Sequence, residues 1–225
     1  MSDELDFSTI IASAVHDMKN SLGMLLHSVD EVRESVPESV RQSESFTTLQ
    51  YEAQRVHGDL VQLLGLYRLQ QDKLSATVEE QIVPDFLEEQ VARHEPLLEG
   101  MGIELTVNAD AIDGYFDTQL VGGVLTNVIN NAIRYTRKQL QLSAREEADY
   151  LVISVEDDGG GFPEWMLNAP LEGINSLDFK TGSTNLGLYF ADRMARMHRE
   201  ADREGFIRLR NGGEFGGGVF ELWLP

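Results

Sequence analysis

The sequence predicts an α+β protein in two parts: a helical hairpin over residues 1–75 and an α/β sandwich over residues 76–225. In the first part, apolar residues recur alternately three and four positions apart, as in heptad helices. Pro37 interrupts this pattern and divides it into two helices. In the second part, short alternating runs typical of strands are interspersed with amphipathic helical runs. Such an order predicts one sheet covered by helices.

The first helix is predicted from Ser8 or Thr9 to about Val36, because either residue can cap a helix and Pro37 ends it. Its heptad residues are Ile11, Val15, Met18, Leu22, Leu25, Val29, Val32 and Val36. Those of the second helix are Phe46, Leu49, Ala53, Val56, Leu60, Leu63 and Tyr67. An antiparallel hairpin cannot shield both apolar patterns alone, and each exposed Leu or Val forgoes about 1.5–3 kcal/mol. We therefore predict a homodimer, with two hairpins packed as a four-helix bundle.

The second part predicts strands and helices in a mixed order. Strands are expected at 81–83, 102–107, 140–144, 150–155, 206–209 and 219–224. Helices are expected at 84–100, at 118–135 after an Asp117 cap, and at 186–198. The charged run at 199–204 is interpreted as a solvated helix end or loop.

Composition excludes several classes of function. The net charge is −20 and no basic stripe is present, so a nucleic-acid partner is not expected. The absence of cysteine rules out disulfides and thiolate zinc sites. No apolar run approaches the roughly 20 residues that cross a bilayer, and the acidic start is unlike a secretory leader. These features predict a cytoplasmic protein without membrane insertion.

A polar group on the first helix is the first candidate site. In the heptad, His16, Asp17 and Asn20 fall at positions b, c and f, which point away from the apolar seam. His16 and Asn20 are four residues apart on one face, with Asp17 beside them. A surface histidine without a function is the alternative interpretation of this residue alone.

Three clusters in the second part suggest a phosphate ligand. Asn127 and Asn131 are four apart on a helix, and amide oxygens suit a Mg²⁺ that binds substrate phosphates. Arg134 and Tyr135 continue that face, and an arginine there can bind phosphate. The alternative is an asparagine-rich polar helix face.

The other two clusters are rich in glycine. Asp157, Gly159 and Gly161 follow an apolar strand, where the carboxylate can accept a hydrogen bond from an adenine amino group. A plain Asp-Gly turn is the alternative there. The third cluster precedes a helix whose N-terminus can bind an anion. It comprises Thr181, Gly182, Ser183, Thr184, Asn185, Leu186 and Gly187.

Taken together, these motifs resemble the catalytic core of a bacterial two-component sensor histidine kinase over nearly the whole chain. His16-Asp17-Met18-Lys19-Asn20 is similar to the phosphoacceptor box of that family. Asn127 and Asn131 resemble its N box, and Asp157, Gly159 and Gly161 its first glycine box. Gly182 and Gly187 resemble the second glycine box. The ending Gly218–Pro225 is similar to the closing strand of the family.

The resemblance implies a dimeric hairpin followed by a gyrase-like ATP-binding domain. It implies that His16 takes a phosphoryl group from Mg-ATP and passes it to an aspartate on a response regulator. Asp17 would take up the proton, and Asn131 with Asn127 would hold Mg²⁺. Arg134 and the Thr181–Asn185 loop would hold the phosphates, and Tyr135 would pack on the nucleotide.

Further implications concern hydrolysis and input. ATP hydrolases of this fold carry a Glu where Asn127 stands, and an amide cannot deprotonate water. Asn20 would serve dephosphorylation of the regulator. We expect the input to come from a separate protein, a ligand or another part of a longer chain.

Two alternatives stay open. One is a phosphotransfer or phosphatase protein with a degenerate nucleotide domain. The other is a serine kinase of the anti-sigma type, which shares the ATP-binding fold but has no helical hairpin with an exposed histidine.

Overall fold

The computed structural model describes residues 7–168 and 186–225. The chain divides into two compact units, Met1–Ser75 and Ala76–Pro225. Among the residues described, no helix is both long enough and apolar enough to cross a membrane.

The first unit is helical. It contains α1 (Phe7–Ser35), α2 (Glu38–Arg41) and α3 (Glu44–Gln70), and α1 packs against α3. The predicted loop after Pro37 thus holds one short helix. Ser43 caps α3 by accepting a hydrogen bond from the Phe46 backbone N–H at 3.4 Å.

Burial varies among the described heptad residues of α1 and α3. Val15, Val29, Phe46 and Ala53 are 6–9% exposed in the unit where α1 packs against α3, and Leu22, Leu60 and Tyr67 are half-buried. A second set stays exposed, and we call these six residues the exposed heptad rows: Met18 (55%), Leu25 (48%), Val32 (46%), Leu49 (51%), Val56 (40%) and Leu63 (40%). Contact between α1 and α3 therefore uses only part of each apolar pattern.

The second unit is built around a five-stranded mixed sheet. Its elements are β1 (Glu79–Ile82), α4 (Val83–Met101), β2 (Glu104–Ala109), β3 (Asp113–Phe116), α5 (Thr118–Ala132), β4 (Gln139–Glu147), β5 (Tyr150–Asp157), α6 (Glu164–Asn168), α7 (Leu186–Ala195), β6 (Arg199–Glu200), β7 (Arg203–Glu204), β8 (Phe206–Asn211) and β9 (Gly218–Leu224). The strand order in the sheet is β2-β4-β5-β9-β8. The β2–β4 pair is parallel and the other pairs are antiparallel.

One face of this sheet is apolar and covered by helices. Alternation along the strands places these buried side chains on that face: Leu140, Leu142, Ile153, Val155, Phe220 and Leu222. Helices α4, α5 and α7 contact the sheet. The predicted α+β class, with one sheet covered by helices, is confirmed.

The other face carries a polar network over buried residues. The Glu221 carboxylate accepts hydrogen bonds from Arg145 (3.2 Å), Arg210 (3.1 Å) and Trp223 Nε1 (3.2 Å). The Arg208 guanidinium lies 4.6 Å from the centre of a Trp223 ring. The Trp223 ring also stacks on Phe206, with ring centres 5.2 Å apart, and Trp223 is only 4% exposed.

Two short strand pairs were not predicted. β1 pairs with β3 as a separate antiparallel ribbon, and β3 had no predicted counterpart. The run from Arg199 to Glu204 is also not a helix end or loop: β6 pairs with β7 around Ala201, whose φ is +50°. The interpretation of that run was wrong, because neither strand is long enough to show alternation.

The last two predicted helices end earlier than expected. α5 ends at Ala132 instead of Tyr135, and α7 ends at Ala195 instead of His198. After α5 the backbone N–H groups of Arg134 and Tyr135 bond three residues back, which tightens the chain into a turn.

Candidate functional site

Asp117 fixes the start of α5, the helix with the candidate phosphate-binding asparagines. Its carboxylate accepts hydrogen bonds from the backbone N–H groups of Gln119 (2.9 Å) and Leu120 (3.0 Å). The predicted helix cap at Asp117 is thereby confirmed. The same carboxylate accepts a hydrogen bond from the Thr77 N–H at 2.8 Å.

Buried His198 ties the start of α5 to the chain after α7. Its Nε2 accepts the Asp117 backbone N–H at 3.0 Å, so the ring proton lies on Nδ1, which donates to the Met194 carbonyl at 3.0 Å. Burial lowers the pKa of His198, although the hydrogen bond to Met194 and the Asp117 charge act in the opposite direction. The imidazole is therefore neutral in the folded protein at neutral pH.

Asn127 and Asn131 lie together on α5. Asn131 Nδ2 donates to Asn127 Oδ1 at 3.1 Å. Asn127 is buried and Asn131 is exposed. Gly187, in the first turn of α7, lies directly against Asn127: a Cβ at Gly187 would be 2.6 Å from Asn127 Nδ2. Two of the three predicted clusters therefore meet between α5 and α7.

The turn after α5 meets the cluster at the end of β5. A Cβ at Gly159 would lie 2.4 Å from the Tyr135 carbonyl oxygen, so only glycine allows this approach. The Tyr135 side chain is exposed, and the Arg134 guanidinium lies 5.8 Å from its ring centre. Both are thus free to contact a ligand beside Gly159.

Asp157 is held from two sides. Its Oδ1 accepts the backbone N–H of Gly159 at 2.7 Å and that of Gly218 at 3.2 Å. The Gly217 N–H donates to the Asp157 carbonyl at 3.1 Å. The carboxylate keeps a fixed direction and is only partly buried, which suits recognition of a hydrogen-bond donor on a ligand.

The remaining predicted ligand residues are placed only in part. Leu186 and Gly187 begin α7. Thr181, Gly182, Ser183, Thr184 and Asn185 lie outside the described residues.

Sequence reasoning missed the segment that supports Asp157. It is the segment 211–218, which comprises the last residue of β8, the turn and the first residue of β9 and includes five glycines. A Cβ at Gly217 would lie 2.2 Å from the Asp157 carbonyl oxygen, so the turn packs on the backbone of the candidate site. The glycine-rich run is visible in the sequence and indicates a close backbone approach. Only the pairing of β9 with β5 shows that the residue it approaches is Asp157.

Asp158 was also missed as a support. Its Oδ1 accepts the backbone N–H groups of Arg137 (2.7 Å) and Lys138 (3.1 Å), just before β4. Burial raises the pKa of Asp158, but these hydrogen bonds outweigh burial and leave the pKa below its ordinary value.

In the first unit, His16 lies on α1 with its side chain 50% exposed. Two neighbours approach the same ring nitrogen: Asp17 Oδ1 lies 3.6 Å and Asn20 Nδ2 lies 3.4 Å from Nδ1. No hydrogen bond to Nε2 is made from the part of the chain that the structure describes. The predicted grouping of imidazole, carboxylate and amide is present on one exposed face.

The donor set fits a magnesium ion that arrives with a nucleotide. Residues 7–168 and 186–225 contain no cluster of three His, Cys, Asp or Glu side chains able to hold a metal. The amides of Asn127 and Asn131 provide neutral oxygens, which suits an ion that keeps waters and binds substrate phosphates.

The fold and these contacts agree with a known family. Residues 116–225 match the model of the Histidine kinase-, DNA gyrase B-, and HSP90-like ATPase family. The second unit is therefore similar to this ATPase family from Phe116 onward.

The chain is also similar to sensor histidine kinases. It is 27% identical over 220 residues to Sensor protein kinase PilS of Pseudomonas aeruginosa, covering 95% of this chain and 39% of PilS. It is 27% identical over 191 residues to Sensor histidine kinase CpxA of Escherichia coli, covering 82% of this chain and 40% of CpxA. The chain thus spans about two fifths of the length of these relatives.

Solved histidine kinases share the fold. Histidine kinase AdeS of Acinetobacter baumannii superposes with a TM-score of 0.59 at 20% identity, covering 93% of this chain and 96% of that one. The catalytic domain of histidine kinase ThkA gives 0.54 at 24% identity, covering 66% of this chain and 95% of that one.

Proposed function

We propose that this chain is the cytoplasmic kinase core of a two-component system. It phosphorylates His16 from Mg-ATP and passes the phosphoryl group to an aspartate of a response regulator. The observation that carries the proposal is the exposed His16 ring, with Asp17 and Asn20 both at Nδ1, in a chain related to sensor histidine kinases.

The geometry around His16 supports attack through Nε2. With a proton on Nδ1 facing the Asp17 carboxylate, Nε2 carries the lone pair. In this tautomer the Asn20 Nδ2 group lies beside Nδ1 without a hydrogen bond to it, because both nitrogens are donors. A new bond forms between Nε2 and the γ-phosphorus, and the bond from that phosphorus to the β,γ-bridging oxygen breaks, releasing ADP. Asp17 stabilises the positive charge on the ring and accepts the Nδ1 proton. The regulator aspartate then attacks the phosphorus, the N–P bond breaks, and Asp17 returns the proton to Nδ1 so that a neutral imidazole leaves.

The second unit binds the nucleotide. Asp157 accepts a hydrogen bond from the adenine amino group, and Tyr135 packs on the base. Arg134, with the Thr181–Asn185 loop and the start of α7, binds the phosphates. Asn131 and Asn127 would hold Mg²⁺, which would supply positive charge beside the phosphates.

Asn127 also explains why ATP is kept for transfer. Its side chain is buried against Gly187, and its Oδ1 already accepts a hydrogen bond from Asn131. An amide cannot take a proton from water, so the site has no general base at this place. Bound ATP is therefore not hydrolysed at this place and stays available for phosphoryl transfer to His16.

The first unit is proposed to form the dimeric four-helix bundle. The exposed heptad rows lie at seven-residue intervals on both α1 and α3. Burying them against a second copy removes six large apolar side chains per chain from water.

A groove beside His16 fits the regulator. It has a volume of about 560 Å³ and is lined by Lys19, Asn20, Gly23, Met24, His27, Ser28 and His57. Lys19 forms no salt bridge with any described residue, in a chain of net charge −20. An acidic surface that carries the acceptor aspartate complements this groove.

Incubation with labelled ATP and Mg²⁺ tests the proposal. Wild type should acquire acid-labile label, and His16→Gln should acquire none. His27→Gln is the matched control, because His27 is an exposed histidine on the same helix. Equal labelling of His16→Gln would overturn the assignment. ATP binding without label in the wild type would favour the phosphotransfer or phosphatase alternative.

A further inference from the structure

A side chain outside the recognised motifs closes the loop that follows Asp157. Asn211 is the last residue of β8, and its amide contacts both polar backbone atoms of Phe162. The Phe162 N–H donates to Asn211 Oδ1 at 2.7 Å, and Asn211 Nδ2 donates to the Phe162 carbonyl at 2.8 Å. Because one partner only donates and the other only accepts, these contacts fix the orientation of the amide.

The same side chain accounts for Gly161. This residue has φ +77°, and a Cβ there would lie 2.8 Å from Asn211 Cγ and Oδ1. Glycine is thus required twice, by the backbone conformation and by the approach of the amide.

The loop between Asp157 and Phe162 is hydrogen-bonded at both ends to the segment 211–218. At its start, Gly218 N–H donates to Asp157 Oδ1 at 3.2 Å. At its end, the Asn211 amide makes two hydrogen bonds to the Phe162 backbone, and a Cβ at Gly218 would lie 3.1 Å from the Phe162 ring. Asn211 and Gly218 are paired across β8 and β9. The hydrogen bonds at the two ends of the loop therefore come from one pair of neighbouring strand residues.

We propose that Asn211 is a positioning residue of the nucleotide site, because it locks the exit of the Asp157–Phe162 loop in the conformation that presents Asp157 to the base. This inference rests on the proposed function. Without the hydrogen bonds from Asn211 to Phe162, the loop adopts more conformations. ATP binding must then order the loop, which lowers the affinity for ATP.

The near-isosteric variant separates this role from packing. Asn211→Asp keeps the shape and the acceptor for Phe162 N–H, but it places a carboxylate against the Phe162 carbonyl in place of a donor. A packing role leaves this variant like wild type, whereas the lock is lost in both Asn211→Asp and Asn211→Ala. Asn108→Ala is the matched control, since Asn108 is an exposed strand asparagine on β2.

Calorimetric ATP binding and steady-state labelling form the test. We expect Asn211→Ala and Asn211→Asp to raise the ATP dissociation constant about ten-fold, equivalent to about 1.4 kcal/mol. The KM for ATP should rise in parallel while the rate at saturating ATP stays near wild type. The double variant Gly161→Ala with Asn211→Ala should bind ATP no more weakly than Gly161→Ala alone. The Cβ added at Gly161 would clash with the Asn211 side chain and break its hydrogen bonds to Phe162, so removing that side chain adds no further loss.

Each result decides a separate point. Wild-type affinity in Asn211→Asp, or additive losses in the double variant, would overturn the positioning role. Failure of the wild type to bind ATP would instead refute the proposed function.

Discussion

Replacing Leu25 by aspartate tests the proposed dimer at the centre of one exposed row. Leu25 is 48% exposed in the single chain. Full burial of a leucine contributes about 1.5–3 kcal/mol, so burying the exposed half contributes about 1 kcal/mol per copy. The substitution acts in both copies and also places two carboxylates in an apolar interface.

We expect the dissociation constant of the dimer to rise at least a hundred-fold, or about 2.7 kcal/mol. Light scattering across micromolar concentrations should give twice the 25.2 kDa chain mass for wild type and a shift toward the monomer for the variant. Met24→Asp is the matched control, because Met24 is 67% exposed but lies outside the rows.

Circular dichroism should show that helix content survives in both variants. The assignment of the exposed heptad rows is refuted if Leu25→Asp associates as tightly as wild type, or if Met24→Asp dissociates equally.

Three other outcomes are expected. Asn20→Ala should slow dephosphorylation of the regulator more than labelling of His16, whereas Asp17→Ala should do the reverse, because only the carboxylate accepts a proton. Gly187→Ala should weaken ATP binding about ten-fold, since relieving a Cβ contact of 2.6 Å with Asn127 costs about 1–3 kcal/mol. Unfolding free energy should fall as pH drops below about 6.5, and less steeply in His198→Gln, because the folded protein resists protonation of this buried ring.

The measurements are regulator half-life with ADP and Mg²⁺, calorimetry with ATP, and denaturant unfolding between pH 5 and 8. Gly23→Ala is the control for Gly187→Ala, because a Cβ at Gly23 meets nothing within 4 Å. His94 also has a pKa lowered by burial, so it keeps part of the pH slope in His198→Gln. An unchanged regulator half-life, an unchanged ATP affinity or an unchanged pH slope would each contradict the corresponding expectation.

Local signals in the sequence predicted much of this fold. The Asp117 cap depends on N–H groups two and three residues away, and the exposure of His16 follows from heptad spacing. Most helices and the five long strands were accordingly placed within a few residues.

What escaped prediction depends on distant partners. β3 is four residues long and exists through its pairing with β1, more than thirty positions earlier. Asn211 is 49 residues from Phe162, and nothing in its neighbours indicates that contact. The grouping of Asn127 with Gly187 needed the packing of α5 on α7, which a linear pattern does not contain.

The arginine-covered tryptophan has a practical consequence for following the two units. Both tryptophans of the chain, Trp165 and Trp223, belong to the second unit, and Trp165 is 54% exposed. Because the first unit contains no tryptophan, only the tyrosines Tyr51 and Tyr67, tryptophan fluorescence reports on the second unit alone, and exposure of Trp223 on unfolding shifts it to longer wavelength. The far-ultraviolet helix signal draws heavily on α1 and α3. Superimposable melting curves from the two probes would indicate one cooperative transition, whereas separated curves would reveal two.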